Sequence, residues 1–213
     1  ITKIVEGAAG SMYTRYAYSF PRGNKTAILT FTIQQVQCAN YTEPEASQCL
    51  SDQEDFIIGE IRETFPVDTI YSEEGSGTVT GKNVWAIDPI DGSSNFARGI
   101  PHFAVCLAFL ENGLPIAGAV YNPVTDELFS FKKGEGAFLN GEPIYVSAVS
   151  ELAKAQVVFS PGSRKPELWD WAAASYRKLL EHSQKRGMYG SSALDLCFIA
   201  SGRADAGVYG TLS

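Results

Sequence analysis

Apolar and polar positions along the chain alternate between two periods, and the changes of period mark out its elements. Ile1, Ile4, Val5, Ala8, Ala9 and Met12 share one face at helical spacing, so residues 1–20 read as a helix laid on a larger body. Pro21-Arg22-Gly23-Asn24 breaks it. The stretch from Lys25 to Asn40 fits neither a strand pair nor a helix well. From Glu43 the helical period returns, with Pro44 near the start, Phe56, Ile57, Ile58, Ile61 and Phe65 inward and Pro66 as the stop. Short strands follow at Thr69-Ile70-Tyr71 and Val84-Trp85-Ala86-Ile87. Phe103 to Leu110, Leu114 to Tyr121 and Glu127 to Phe131 predict an antiparallel meander, its first turn signalled by Asn112-Gly113. The glycine-rich segment 134–141 leads through a turn to Ile144-Tyr145-Val146. Gln156 to Ser160 reads as a strand, and Pro166 to His182 as a helix with Trp169, Ala172, Ala173, Tyr176, Leu179 and Leu180 inward. Met188-Tyr189 reads as a short strand, Gly190-Ser191-Ser192 caps a helix through Ala200, and Ala204 to Tyr209 forms a last strand. Alternating helices and strands with a meander predict an α/β fold of helices layered against sheets.

Composition narrows the function classes. The chain has 213 residues, 45% hydrophobic and 19% charged, enough to bury a core in one large domain or two small ones. A formal charge of -7 without clustered Lys and Arg excludes nucleic acid as the expected partner. No apolar run reaches the length of a membrane span and no signal peptide opens the sequence, so the expected location is cytoplasmic, with no membrane partner. Cys38, Cys49, Cys106 and Cys197 have no metal-binding spacing and read as buried free thiols.

The candidate chemistry sits in Val84 to Phe96. A buried strand delivers Asp88 and Asp91 into a turn set by Pro89 and Gly92, and Ser93, Ser94 and Asn95 then look like a helix start whose N–H groups suit an anion. Upstream, Glu73-Glu74 ends another strand. Together, Glu73, Asp88 and Asp91 with the Ile90 carbonyl could hold two hard cations that clamp a phosphate and activate a water steadied by Ser93. A capped surface turn and a structural calcium loop are the alternatives.

Glu73-Glu74, the string Trp85-Ala86-Ile87-Asp88-Pro89-Ile90-Asp91-Gly92-Ser93-Ser94-Asn95-Phe96 and Gly99-Ile100-Pro101 resemble the signature of the inositol monophosphatase family. Gly118-Ala119-Val120-Tyr121-Asn122-Pro123, Gly134-Glu135-Gly136-Ala137 and Gly190-Ser191-Ser192-Ala193 continue in that family's order, so the resemblance covers most of residues 56–209. It implies a layered α-β-α-β-α sandwich of the inositol monophosphatase/fructose-bisphosphatase type, as a single domain over residues 1–213, with residues 1–150 as the metal-loop half and 151–213 as an incomplete second half. It also implies a phosphoric monoester hydrolase, often homodimeric and lithium-sensitive, acting on a small phosphorylated substrate.

By the same resemblance, Glu73, Asp88 and the Ile90 carbonyl match the ligands of a first Mg2+, and Asp88 with Asp91 match ligands of a second. Ser93 stands where the family usually has the threonine that, with Glu73, orients the attacking water. Gly92, Ser93 and Ser94 match the phosphate cradle, and Asp91 with the Gly190-Ser191-Ser192 turn lies near the alcohol. Three departures accompany these matches. The family's Trp-Asp pair after the last strand, whose aspartate completes the second metal site, is absent before Ser213, so the chain reads as C-terminally truncated. Tyr209 falls near the position of the sugar-contacting acid, and Asp52 is close to an expected acid but out of register. Lys25 matches a loop lysine weakly. The first expectation is therefore Mg2+-dependent hydrolysis of inositol monophosphate. The alternatives are a 3'-phosphoadenosine nucleotide, fructose bisphosphate or histidinol phosphate as substrate, or a non-catalytic relative that binds metal, phosphate or a partner.

Overall fold

The computed structural model describes residues 2–8, 11–22, 25–35, 43–73, 75, 80–162 and 166–211, with side chains described from residue 51 onward except Gln53. Cys38 and Glu74 fall outside the described residues, as do the side chains of Lys25 and Cys49.

Three antiparallel strands open the chain: β1 (Thr2–Ala8), β2 (Ser11–Arg22) and β3 (Lys25–Gln35). The helix expected over residues 1–20 is thus replaced by strands, and Lys25 onward, expected to fit no element, supplies the third. The physical reason lies in a competing period of two: Met12, Thr14, Tyr16, Tyr18 and Phe20 alternate, and aromatic and β-branched residues favour the pleated strand. Tyr16 then stands opposite Phe31 and Tyr18 opposite Leu29.

Helix α1 (Glu43–Thr64) follows and stops before Pro66 as expected. The next strands are β4 (Thr69–Ser72) and β5 (Asn83–Asp91), then the single turn α2 (Ser93–Phe96). The meander comprises β6 (Ala104–Glu111), β7 (Leu114–Asn122), β8 (Glu127–Lys132), β9 (Gly136–Leu139) and β10 (Glu142–Pro143). Asn112 and Gly113 take positive φ of 52° and 76°, the conformation a tight hairpin requires. The strand expected at Ile144–Val146 lies earlier, because Gly136 to Leu139 pairs with β8 and Glu142 folds back on Leu139. The order is β10-β9-β8-β7-β6-β5-β4, with only β4 and β5 parallel within this sheet.

A third sheet, of three parallel strands, has the order β12-β11-β13, built from β11 (Gln156–Ser160), β12 (Lys185–Gly187) and β13 (Ala206–Tyr209). The strand expected at Met188-Tyr189 lies instead at Lys185–Gly187 and ends before Met188. Helix α3 (Trp169–His182), preceded by a short tight turn, packs on this sheet through Ala172, Tyr176 and Leu179 against Val157, Phe159, Ala206 and Val208. Trp169, Ala173 and Leu180, expected inward, are exposed, since the sheet has only three strands and meets a narrow stripe of the helix.

Helix α4 (Ser192–Ala200) joins the two halves. Leu194 and Cys197 pack against Ala104 and Phe129 of the large sheet, and Ile199 faces Gly207 of the small one. On the opposite face of the large sheet, Ile57, Ile61 and Phe65 cover Trp85, Ile87 and Phe109. The layers therefore run α1, large sheet, α4, small sheet, α3, which is the α-β-α-β-α arrangement expected.

Candidate active site

The acids are aimed by one irregularity in β5. Asp88 pairs with Cys106 of β6, and Asp91 pairs with Ala104, so three steps along β5 oppose two along β6. Side chains of a regular strand alternate faces, which would send residues three apart to opposite sides. The extra residue restores the parity and brings Asp88 and Asp91 to the α4 side. Pro89 sits in this bulge, fully buried, and has no N–H to give to a ladder. The acids thus lie on a bulged strand end rather than in the free turn expected. At the other end of β5, Asp68 accepts from Asn83 Nδ2 and Trp85 Nε1, each at 3.1 Å, which fixes the strand.

Parallel pairing of β4 with β5 places Glu73 beside Asp88: Ser72 stands opposite Ile87, and the Glu73 N–H donates to the Ile87 carbonyl at 3.2 Å. Asp88 is pushed up to about 8, first by burial, then by the charge of Glu73, a side-chain hydrogen bond with Glu73 and the charge of Asp91. The Ile90 N–H, donating to Asp88 Oδ1 at 3.0 Å, opposes the shift.

Asp91 is held from α4. Its Oδ2 accepts from the Ser191 hydroxyl and from the Ala193 N–H at 3.0 Å. Ser191 also caps α4 by accepting from the Leu194 N–H, and its side chain is buried. Gly190 has φ of 85°, and a Cβ there would stand 2.9 Å from Asn95 Nδ2. That amide donates to the carbonyls of His102 at 2.8 Å and Tyr189 at 2.7 Å, stapling the acid loop to the turn before α4.

Gly92 takes φ of 90° and starts the four-residue turn α2, where Ser93 and Ser94 are exposed. Asn95 and Phe96 donate to the Gly92 carbonyl. Gly92, Ser93 and Ser94 open this turn, where the first N–H groups lack the carbonyl that a preceding helical turn would supply and can serve an anion. A single turn carries little macrodipole, and the N–H groups themselves are the donors.

The structure therefore gathers Glu73 with Asp88, and Asp91 with Ser191 of the Gly190–Ser192 turn. Among the described residues no three His, Cys, Asp or Glu side chains converge as a ready metal cage. The donors nonetheless suit a hard cation: Glu73 and Asp88 are carboxylates driven together, Ile90 offers a carbonyl, and without a cation one carboxyl must keep its proton. Asp52 lies on an exposed part of α1. Tyr209 is half-buried, with its hydroxyl enclosed near Asp195 and Asp91, and desolvation pushes its phenol up to about 12. Cys106 and Cys197 are free thiols, both raised by burial.

Two residues at this site escaped the sequence reading. Asp195 is 1% exposed in the first turn of α4, and His102 approaches it across the loop. The available signal was an acid inside the apolar run Ala193-Leu194-Asp195-Leu196-Cys197, because carboxylates are seldom fully buried without a purpose.

Comparison with known proteins follows from this geometry. The family model described as the inositol monophosphatase family matches residues 30–211. Inositol monophosphatase 3 of Solanum lycopersicum is 39% identical over 158 residues, covering 71% of this chain and 59% of that protein. The Nus factor SuhB of Pasteurella multocida is 37% identical over 155 residues, covering 71% and 58%. The solved inositol monophosphatase of Anabaena (Nostoc) aligns with a TM-score of 0.74 at 36% identity, covering 78% of this chain and 67% of its own. The chain thus spans less than two thirds of the length of the two sequence relatives.

Proposed function

The chain belongs to the inositol monophosphatase family, and from that premise we propose that it is a phosphoric monoester hydrolase that uses Mg2+ and takes inositol monophosphate or a similar small phosphate monoester. The observation that carries the reading is the Glu73–Asp88 pair, two carboxyls pressed together with Asp88 pushed up to about 8. Like charges are brought into contact at this cost where a cation neutralises them.

Glu73, Asp88 and the Ile90 carbonyl would hold one Mg2+, and Asp88 with Asp91 would contribute to a second. Such ions supply Lewis acidity and charge neutralisation for phosphate and water. The protein's own part is positional. Ser191 and the Ala193 N–H fix Asp91. The N–H groups of Gly92, Ser93 and Ser94 would receive phosphate oxygens. Ser93, together with Glu73, would steady the water that attacks, and the Gly190-Ser191-Ser192 turn would border the alcohol. Residues 1–213 are read as one domain, a reading supported by α4, which packs against both the seven-stranded sheet and the parallel three-stranded one.

The test is phosphate release from inositol monophosphate with and without Mg2+, in the wild type and in Asp91→Asn. Release is expected only with Mg2+, and the variant should lose at least about a hundredfold in kcat, by analogy with loss of a preorganised charge. Undiminished release by Asp91→Asn would overturn the assignment. A panel including fructose bisphosphate, histidinol phosphate and a 3'-phosphoadenosine nucleotide selects the substrate.

A further inference from the structure

The seam between the acid loop and α4 encloses two buried polar atoms that no hydrogen bond satisfies, Nε2 of His102 and Oδ1 of Asp195. They stand 4.0 Å apart. Native proteins pair almost all such atoms, with protein or with ordered water. The gap is too long for a direct bond, but it is the span of two bonds of about 2.8 Å that meet at one water at roughly a right angle. The rings of Tyr189 and Phe198 lie 5.6 and 5.8 Å from the His102 ring.

Each residue is anchored to Asp91's surroundings by its other atoms. The His102 carbonyl receives Asn95 Nδ2, whose second bond holds the Tyr189 carbonyl next to Gly190. The Asp195 N–H donates to the Ser191 carbonyl at 3.0 Å, and the same turn presents the Ser191 hydroxyl and Ala193 N–H to Asp91. A link from His102 to Asp195 would therefore close a ring of contacts: loop, Asn95, turn, α4 and back to the loop.

We propose that His102 and Asp195 are positioning residues for Asp91, joined through one buried water that locks the acid loop to α4. This rests on the reading of Asp91 as a site residue. Burial favours the neutral form of both partners, raising Asp195 and lowering His102, and a neutral pair can share a water as donor and acceptor. Asp91, Cys197 and the buried Tyr209 hydroxyl are the other titratable groups near Asp195.

The test uses His102→Phe, which keeps a ring without Nε2, His102→Gln, which restores a polar nitrogen, and Asp195→Asn. Three quantities are read: Mg2+ affinity by calorimetry, kcat and KM for phosphate release, and the imidazole 15N resonances. The chain has only two histidines, and His182 is exposed, so the His102 signals are readily assigned. His102→Phe should weaken Mg2+ binding about tenfold, the scale of a residue that orients a ligand from behind, with kcat falling more than KM changes. His102→Gln should recover most of the loss, and Asp195→Asn should shift the His102 resonances. Wild-type Mg2+ affinity and kcat in a folded His102→Phe would overturn the proposal. If that variant unfolds, unchanged His102 resonances in Asp195→Asn would do the same. A wild type that neither binds Mg2+ nor releases phosphate overturns the hydrolase reading instead, and the resonance shift then still decides the pair.

Discussion

At the scale of single residues, the site is a set of carboxyls kept where carboxyls are costly. Asp195 shows the sign of that cost. Its pKa rises from 3.8 to about 7 on folding, so between those values the folded chain binds a proton that the unfolded chain has released. This contribution to stability is present below pH of about 4 and is lost as pH rises through about 7, amounting to at most about 5 kcal/mol at roughly 1.4 kcal/mol per pH unit. Urea unfolding across that window should show wild-type stability falling more steeply with pH than that of Asp195→Asn. Parallel slopes would mean that the carboxyl is not held in its neutral form. Asp88 follows the same sign, again first through burial, with the neighbouring acid Glu73 adding to the shift.

Among elements, β5 carries the greatest structural responsibility. Its Asn83-to-Ile87 half is a conventional buried strand, with Trp85 between Phe65 at 5.1 Å and Phe109 at 4.8 Å and its indole N–H tied to Asp68. The Asp88-to-Asp91 half is the bulge. The first half holds the second in place, so the anchoring indole is the element's weak point. Trp85→Ala should cost about 3–5 kcal/mol, the range for removing a large buried aromatic. Denaturant unfolding monitored by circular dichroism gives that number, and a loss under about 1 kcal/mol would show that α1 and the sheet repack around the gap. Sequence periodicity located the Val84-to-Ile87 half of β5, because a buried strand is a continuous apolar run, and read Asp88 to Asp91 as a turn. It could not reveal the bulge, which depends on the count of residues opposite on β6.

Over the whole molecule, the face of the large sheet that meets α4 is only partly covered. A trough of about 480 Å³ runs beside the helix, lined mainly by Ala86, Ala108, Val120, Phe131 and Leu196, with Glu73 and Asp88 at one end. Leu196 itself is 45% exposed. Apolar concavities of this size take up apolar molecules. A neutral environment-sensitive dye such as Nile red should brighten on mixing with the protein, and Leu196→Glu should reduce the gain several-fold. Equal brightening in both would place the dye elsewhere. No helix among the described residues is long and apolar enough to cross a membrane.

The legible part of this protein is local. Asp88-Pro89-Ile90-Asp91-Gly92 and the neighbouring Ser93 and Ser94 announce their chemistry in consecutive residues, and the Asn112-Gly113 hairpin and the Ser191 cap follow from backbone preferences acting within a few positions. By itself the sequence thus determined the family, the layered α/β architecture and most elements from Glu43 onward, though not the strands expected at Ile144–Val146 and Met188-Tyr189. It misjudged residues 1–20, where helical and strand periods compete and cross-strand partners in β3 decide. Only the tertiary structure decided that Asp91 is gripped by Ser191 and Ala193, residues about a hundred positions away. The same holds for Glu73 against Asp88 and for His102 facing Asp195 across a buried seam. These arrangements depend on register, burial and close approach of distant segments, and such quantities come into being only when the sheets and helices have packed.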